Sequence, residues 1–193
     1  MEQGSKEWFE KRRCRITASR FGDVLANPST KRYRYYMEDT IELLHGLPRI
    51  EKETPWFDHG NEMEPEAIGL YEWTQCVETQ RVGFITHPKY NFIGCSPDGL
   101  VGEDGGMEAK SHVSAKQFLK SKKEGMPATY KPQVQGSLWI TERKWWDFVS
   151  YYHNNGKRLI HIHCVYPDLE YHKRLETACL DFWNKIQEKL QCT

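Results

Sequence analysis

Residues 92–111 read FIGCSPDGLVGEDGGMEAKS. The apolar run Phe92–Cys95 predicts a strand that ends at Ser96-Pro97-Asp98-Gly99. Gly106–Ser111 predicts a second strand, set off from the first by the turn-forming Gly102-Glu103-Asp104-Gly105. Glu108 and Lys110 stand two residues apart, so their side chains leave the same face of a strand. If the two strands pair through the glycine-rich turn, Asp98, Glu108 and Lys110 converge at one sheet edge. Mg²⁺ is a hard cation usually held by one or two carboxylates together with water and phosphate oxygens. Such an ion generates hydroxide and neutralises charge on a pentacoordinate phosphate. A lysine beside it can orient or deprotonate the attacking water, with its pKa lowered by partial burial and the metal. A Pro-Asp turn followed by a surface ion pair produces the same spacing. The apolar strand feeding Asp98 favours the metal reading.

Outward from this stretch, the chain alternates helices and strands. Ser5 predicts an N-cap for a short helix with Trp8 and Phe9 facing inward. Thr17 predicts the cap of a second helix carrying Ser19, Phe21, Val24 and Leu25. A longer helix is expected from Lys31 to His45, stopping at Gly46, and another from Glu64 to Thr74 with Pro65 in its first turn. Val77–Ile85 reads as one more strand ahead of the central motif. Beyond the motif come helices near Ser114–Lys123 and Pro127–Glu142, then a hairpin of Trp145–Tyr152 and Leu159–Val165 around Asn154-Asn155-Gly156. An amphipathic helix from Leu169 to Leu190 closes the chain. This order predicts a single α/β domain over residues 1–193, with a mixed central sheet flanked by helices.

Net charge is zero, 27 basic against 27 acidic residues, and identifies no partner. Its distribution is more telling. Eight Lys or Arg and one acid, Asp23, lie between Lys11 and Arg34, whereas eight acids face Lys52 alone between Glu51 and Glu78. A second basic stretch runs from Lys116 to Lys131. Such segregation predicts a cationic face for a polyanion and an acidic pocket for cations. Six scattered cysteines without a CxxC pair argue against a zinc ribbon or disulfide framework and for a reducing cytosol. The apolar runs are too short to span a membrane, and MEQGSKEWFEKRR lacks the apolar region of a signal peptide. A soluble protein of the cytoplasm, in a bacterial or phage-infected cell, is expected.

The Asp98, Glu108 and Lys110 pattern resembles that of the PD-(D/E)xK nuclease superfamily, and the stretch around it resembles bacteriophage lambda exonuclease and the YqaJ-type viral recombinases. Three further blocks share the likeness: WFEKRRCRITAS at Trp8–Ser19, GNEME at Gly60–Glu64, and YKPQVQ at Tyr130–Gln135 followed by Trp139. Together the four cover about Trp8 to Thr141. The resemblance implies a restriction-endonuclease-like core and a two-metal mechanism using Mg²⁺, with Mn²⁺ able to substitute. Asp98, Glu108, the carbonyl of Ala109 and Glu64 would hold the metals. Lys110 would serve the water, and Gln133, one turn from Tyr130, would touch the nucleophile or scissile phosphate. Arg12, Ser19 and Ser96 match a receptor for a 5′-terminal phosphate, and Tyr130 belongs to the DNA-binding set. Phe57 falls where the family places an apolar wedge that splits the duplex end. Past Trp139, and in the loop after Pro28, the likeness is loose.

The implied activity is a 5′→3′ exonuclease on double-stranded DNA that releases mononucleotides and leaves a 3′ single-stranded tail. Its implied setting is a homotrimeric ring working with a single-strand annealing protein in phage recombination. Two alternatives stand beside it. One is a structure- or sequence-specific endonuclease of the same superfamily; the other is a non-catalytic subunit that binds DNA ends. A 5′-phosphate pocket is useful only at an end, and intact Asp98, Glu108 and Lys110 speak against a decayed site.

Overall fold

The computed structural model describes residues 2–47 and 55–191, with side chains from 62 onward in the second segment. Seven α-helices and eight strands are described: α1 (Lys6–Arg12), β1 (Ile16–Thr17), α2 (Phe21–Val24), α3 (Lys31–Leu44), α4 (Pro55–Gln75), β2 (Thr79–Gln80), β3 (Ile85–Thr86), β4 (Ile93–Cys95), β5 (Gly99–Val101), β6 (Gly105–Ser111), α5 (Ala115–Glu124), α6 (Lys131–Thr141), β7 (Trp145–Asn154), β8 (Lys157–Val165) and α7 (Leu169–Gln191). Short 3₁₀ turns cover Ala18–Arg20 and Ala128–Tyr130.

The strands form two sheets. The larger has the order β2-β5-β6-β7-β8, with β6 and β7 parallel and the other pairs antiparallel. This is the expected mixed sheet. Helix α4 covers one face, where Ala67, Ile68 and Tyr71 pack on Met107, Ala109, Val149 and Tyr151. Helix α6 covers the other, with Val134 and Leu138 against Leu100, Trp146 and Phe148. Each of the larger side chains gains roughly 1.5–3 kcal/mol from leaving water. The smaller sheet, β1-β4-β3, joins a second core built by α2, α3 and α7 around Ile16, Phe21, Tyr36, Leu175 and Phe182.

Several expectations are corrected. Phe92–Cys95 does not pair with Gly106–Ser111: β4 belongs to the small sheet, and a separate strand, β5, pairs with β6. Pro97 explains the switch, since it has no N–H to carry a ladder across. Val77–Ile85 is likewise split, with β2 in the large sheet and β3 in the small one. Helix α4 starts at Pro55 rather than Glu64, which puts Pro65 inside it. Thr17 ends β1 and makes no side-chain cap; its hydroxyl meets Ser19 Oγ at 3.2 Å instead. Phe9 does not face inward, being 45% exposed, while Trp8 is half-buried. Ser5 does cap its helix, accepting from the backbone N–H of Trp8, and Ser114 caps α5 by accepting from that of Gln117. The β7–β8 hairpin turns where expected, with Asn155 at φ 49° and Gly156 at φ 75°.

Candidate active site

The site forms where the large sheet loses a strand. Strand β5 pairs with β6 only as far as Gly99 opposite Met107, so from Glu108 onward β6 has β7 on one side and an open edge on the other. Asp98, the residue before β5, fills that edge: its Oδ2 accepts the backbone N–H of Ala109 at 2.8 Å. In an extended strand a residue's N–H and C=O leave on the same side. The carbonyl of Ala109 therefore faces the same edge. Alternation along β6 sends Met107 and Ala109 toward α4, and Glu108 and Lys110 toward α6. There Lys110 Nζ donates to Glu108 Oε1 at 2.6 Å, and Gln133 Nε2, from the first turn of α6, donates to the same oxygen at 2.5 Å. Tyr130, in the 3₁₀ turn leading into α6, places its ring 5.7 Å from Lys110 Nζ.

Glu64 comes from α4, on the opposite face, and reaches the site around the open edge. Its carboxylate accepts from Arg81 Nη2 at 3.3 Å, while Arg81 Nη1 donates to the main-chain oxygen of Asp98 at 2.8 Å. Burial raises the pKa of all three carboxyls. The proximity of Asp98 adds to the rise in Glu64 and Glu108, and Glu108 is pushed up to about 7. Lys110 departs from expectation. Burial alone would lower it, but Glu108 and Asp98 more than offset that and hold the ammonium above the ordinary lysine range. Paired in this way, the Lys110 ammonium is a hydrogen-bond donor to Glu108.

This donor set fits a hard divalent cation. Glu108 Oε2 is buried and has no hydrogen-bond partner among the described residues, although Oε1 has two. A buried carboxylate oxygen left bare beside other carboxylates that resist ionisation is what a cation would satisfy. Among the described residues no three His, Cys, Asp or Glu side chains form a complete cage. Mg²⁺, which keeps several waters, needs only one or two carboxylates.

A second cluster lies two residues upstream. Ser96 Oγ accepts from Arg12 Nη1 and from Trp8 Nε1, both at 2.9 Å, and Arg12 Nη2 reaches Ser19 Oγ at 3.4 Å. The Arg12 guanidinium also lies 4.3 Å from the centre of the Trp8 ring. Arg12, Ser19 and Ser96 are thus brought together, with Trp8 and Thr17 as unanticipated supports. Phe57 lies outside the residues whose side chains are described. A separate groove of about 610 Å³ at the far end of α6, lined by His87, Trp139, Arg143 and His172 among others, contains none of these carboxylates.

Sequence reasoning missed Arg81. It stands 17 residues from both partners, just past a two-residue strand whose pairing was not legible. A lone arginine just after Thr79-Gln80 carries no local signal.

Fold and site together define the class: a mixed α/β protein with the restriction-endonuclease-like fold, its carboxylates gathered at an open strand edge. The chain belongs to the YqaJ-like viral recombinase domain family, whose model matches residues 7–144. Its structure is similar to that of an alkaline exonuclease, LHK-Exo, from Laribacter hongkongensis, with a TM-score of 0.85 and 29% identity over 97% of this chain and 95% of that one. The same enzyme in complex with dAMP matches equally well. A phage-related exonuclease from Haemophilus somnus 129PT shares the fold at a TM-score of 0.67 and 14% identity, covering 91% of this chain and 96% of that one. An uncharacterized protein, R354, of Acanthamoeba polyphaga mimivirus is 29% identical over 162 residues, 77% of this chain. The match takes in 29% of the mimivirus protein, so the chain spans under a third of that relative's length. Among the described residues, no helix is long and apolar enough to cross a membrane.

Proposed function

We propose that this chain is a Mg²⁺-dependent 5′→3′ exonuclease on double-stranded DNA. It degrades one strand from a 5′-phosphorylated end to mononucleotides and leaves a 3′ tail for single-strand annealing. The observation that carries this reading is the adjacency of the two clusters. Ser96, at the centre of the Arg12 receptor, and Asp98, at the open edge, lie on one segment at most about 7 Å apart along the backbone. A guanidinium with hydroxyls suits a phosphate dianion, and a terminal phosphate held there sets the next linkage near the carboxylates. The family membership and the relative solved with dAMP support the same substrate class.

Asp98, Glu108 and the Ala109 carbonyl would hold one cation and Glu64 would contribute to a second, with Mn²⁺ able to replace Mg²⁺. Bound there, the ions would supply a hydroxide nucleophile at neutral pH and charge neutralisation at the phosphate. Lys110 orients the water and offers a positive charge to the developing oxyanion. Gln133 fixes Glu108 and can hydrogen-bond the nucleophile or the scissile phosphate, and Tyr130 flanks the ammonium. A homotrimeric ring, an annealing-protein partner and a cytoplasmic setting complete the proposal.

Digestion of end-labelled linear duplexes carrying a 5′-phosphate or a 5′-hydroxyl, with closed circles alongside, tests it. Mononucleotides, a preference of about tenfold or more for the phosphate, its loss in Arg12→Ala, and a native mass of three chains are expected. Cleavage of closed circles at a similar rate would overturn the exonuclease reading in favour of an endonuclease.

A further inference from the structure

We infer that Arg81 is a positioning residue that sets Glu64 for cation binding; the inference rests on the reading of the carboxylate cluster as a metal site. The backbone places Arg81 for this work. Strand β2 pairs with β5 through Thr79 opposite Val101 and Gln80 opposite Leu100, and Arg81 is the residue that follows β2, as Asp98 is two residues before Leu100. Its guanidinium then bridges two elements that approach the open edge from different directions. One nitrogen holds the Asp98 main-chain oxygen and the other holds the Glu64 carboxylate of α4.

The same short strand is pinned to α4 at its other end. Glu72 Oε1 accepts the backbone N–H of Thr79 at 2.9 Å and its hydroxyl at 2.5 Å. The segment Thr79–Arg81 is therefore tied to α4 at both ends, with Arg81 between Glu64 and Asp98.

Fold stability is a poor explanation for this contact. The Arg81 side chain is 52% exposed and that of Glu64 29%, and an ion pair in that setting adds little to stability. Its effect falls on the carboxylate itself. Arg81 Nη2 donates to Glu64 Oε1 while Nη1 holds the Asp98 main-chain oxygen, so the guanidinium fixes where the carboxylate stands relative to Asp98. The fork geometry matters as much as the charge, because the separate nitrogens of one planar guanidinium reach a carbonyl and a carboxylate in fixed directions, whereas a lysine offers all its donors from a single nitrogen.

The test is calorimetric titration of the DNA-free protein with Mn²⁺ alone, for wild type, Arg81→Ala, Arg81→Lys, Glu64→Gln and the Arg81→Ala/Glu64→Gln double variant. Arg81→Ala should weaken Mn²⁺ binding about five- to tenfold, and Arg81→Lys should rescue little of that loss. In the Glu64→Gln background the Arg81→Ala change should cost nothing more, as expected for two residues acting as one unit. Additive losses, full rescue by lysine, or unaltered Mn²⁺ affinity with a raised KM for DNA would each overturn the inference. Loss of coupling with DNA hydrolysis intact sinks this inference alone. Coupled Mn²⁺ binding without hydrolysis of any duplex instead sinks the proposed function and leaves Arg81 in its role.

Discussion

Lys110 shows how far a single residue's chemistry depends on its neighbours. A half-buried lysine tends toward the neutral form, yet Glu108 at 2.6 Å keeps this one charged, and it in turn restrains the burial-driven rise of Glu108. Lys110→Met removes that restraint, so Glu108 should ionise only at higher pH. The variant is expected to lose activity by a factor of roughly 10²–10⁴. The acidic limb of its pH–rate profile should also shift upward, with more Mg²⁺ needed for half-maximal rate. An unshifted limb would remove the coupling from the account. Asp98, Glu108 and Lys110 were legible in the sequence because their relation is local: a proline-aspartate turn and two positions on one strand face. Arg12, Ser19 and Ser96 were legible only through family resemblance, since 84 residues separate Arg12 from Ser96. Arg81 had neither signal.

At the scale of elements, helices and the hairpin could be read because capping serines, period 3.6 and Asn-Asn-Gly are local signals. The two sheets could not. Strands of two or three residues, such as β1, β2 and β3, are too short to show alternation, and their pairing is decided by distant partners. Yet the break between β4 and β5 makes the open edge on which Asp98 sits. Helix α6 supplies the other wall, and its depth is set by Gly136. A Cβ there would lie 2.4 Å from the Phe21 ring, which is buried in the second core. Gly136→Ala should therefore push α6 and the Phe21 ring apart and cost about 1–3 kcal/mol in urea denaturation. Because α6 carries Gln133 onto Glu108, kcat should fall while the proposed preference for a 5′-phosphate, assigned to α1 and the Ser96 segment, should persist. Unchanged stability would mean that the Phe21 ring can yield at little cost.

For the whole molecule, the carboxylate cluster makes stability depend on pH and on cations together. Glu108 titrates near 7 in the fold and near its ordinary value of 4.5 when unfolded, so between these limits the folded state holds a proton that the unfolded chain has released. Stability without a cation must then fall as pH rises from about 4.5 to 7, by up to about 3 kcal/mol from this group, and stay low above that range. A divalent ion bound to the ionised form, as proposed, would reverse the trend and add about 2.7 kcal/mol at a hundred times its Kd. Thermal unfolding at pH 5 and pH 8, each with and without Mg²⁺, should show a large cation-induced rise in Tm at pH 8 and a small one at pH 5. Glu108→Gln cannot ionise at this position. It should flatten the metal-free pH dependence and remove most of the Mg²⁺ effect, whereas Arg12→Ala, in the proposed phosphate receptor, should leave both intact. An equal cation effect at both pH values would show that binding is not linked to ionisation of Glu108, and its buried oxygen, without a partner among the described residues, would need another explanation.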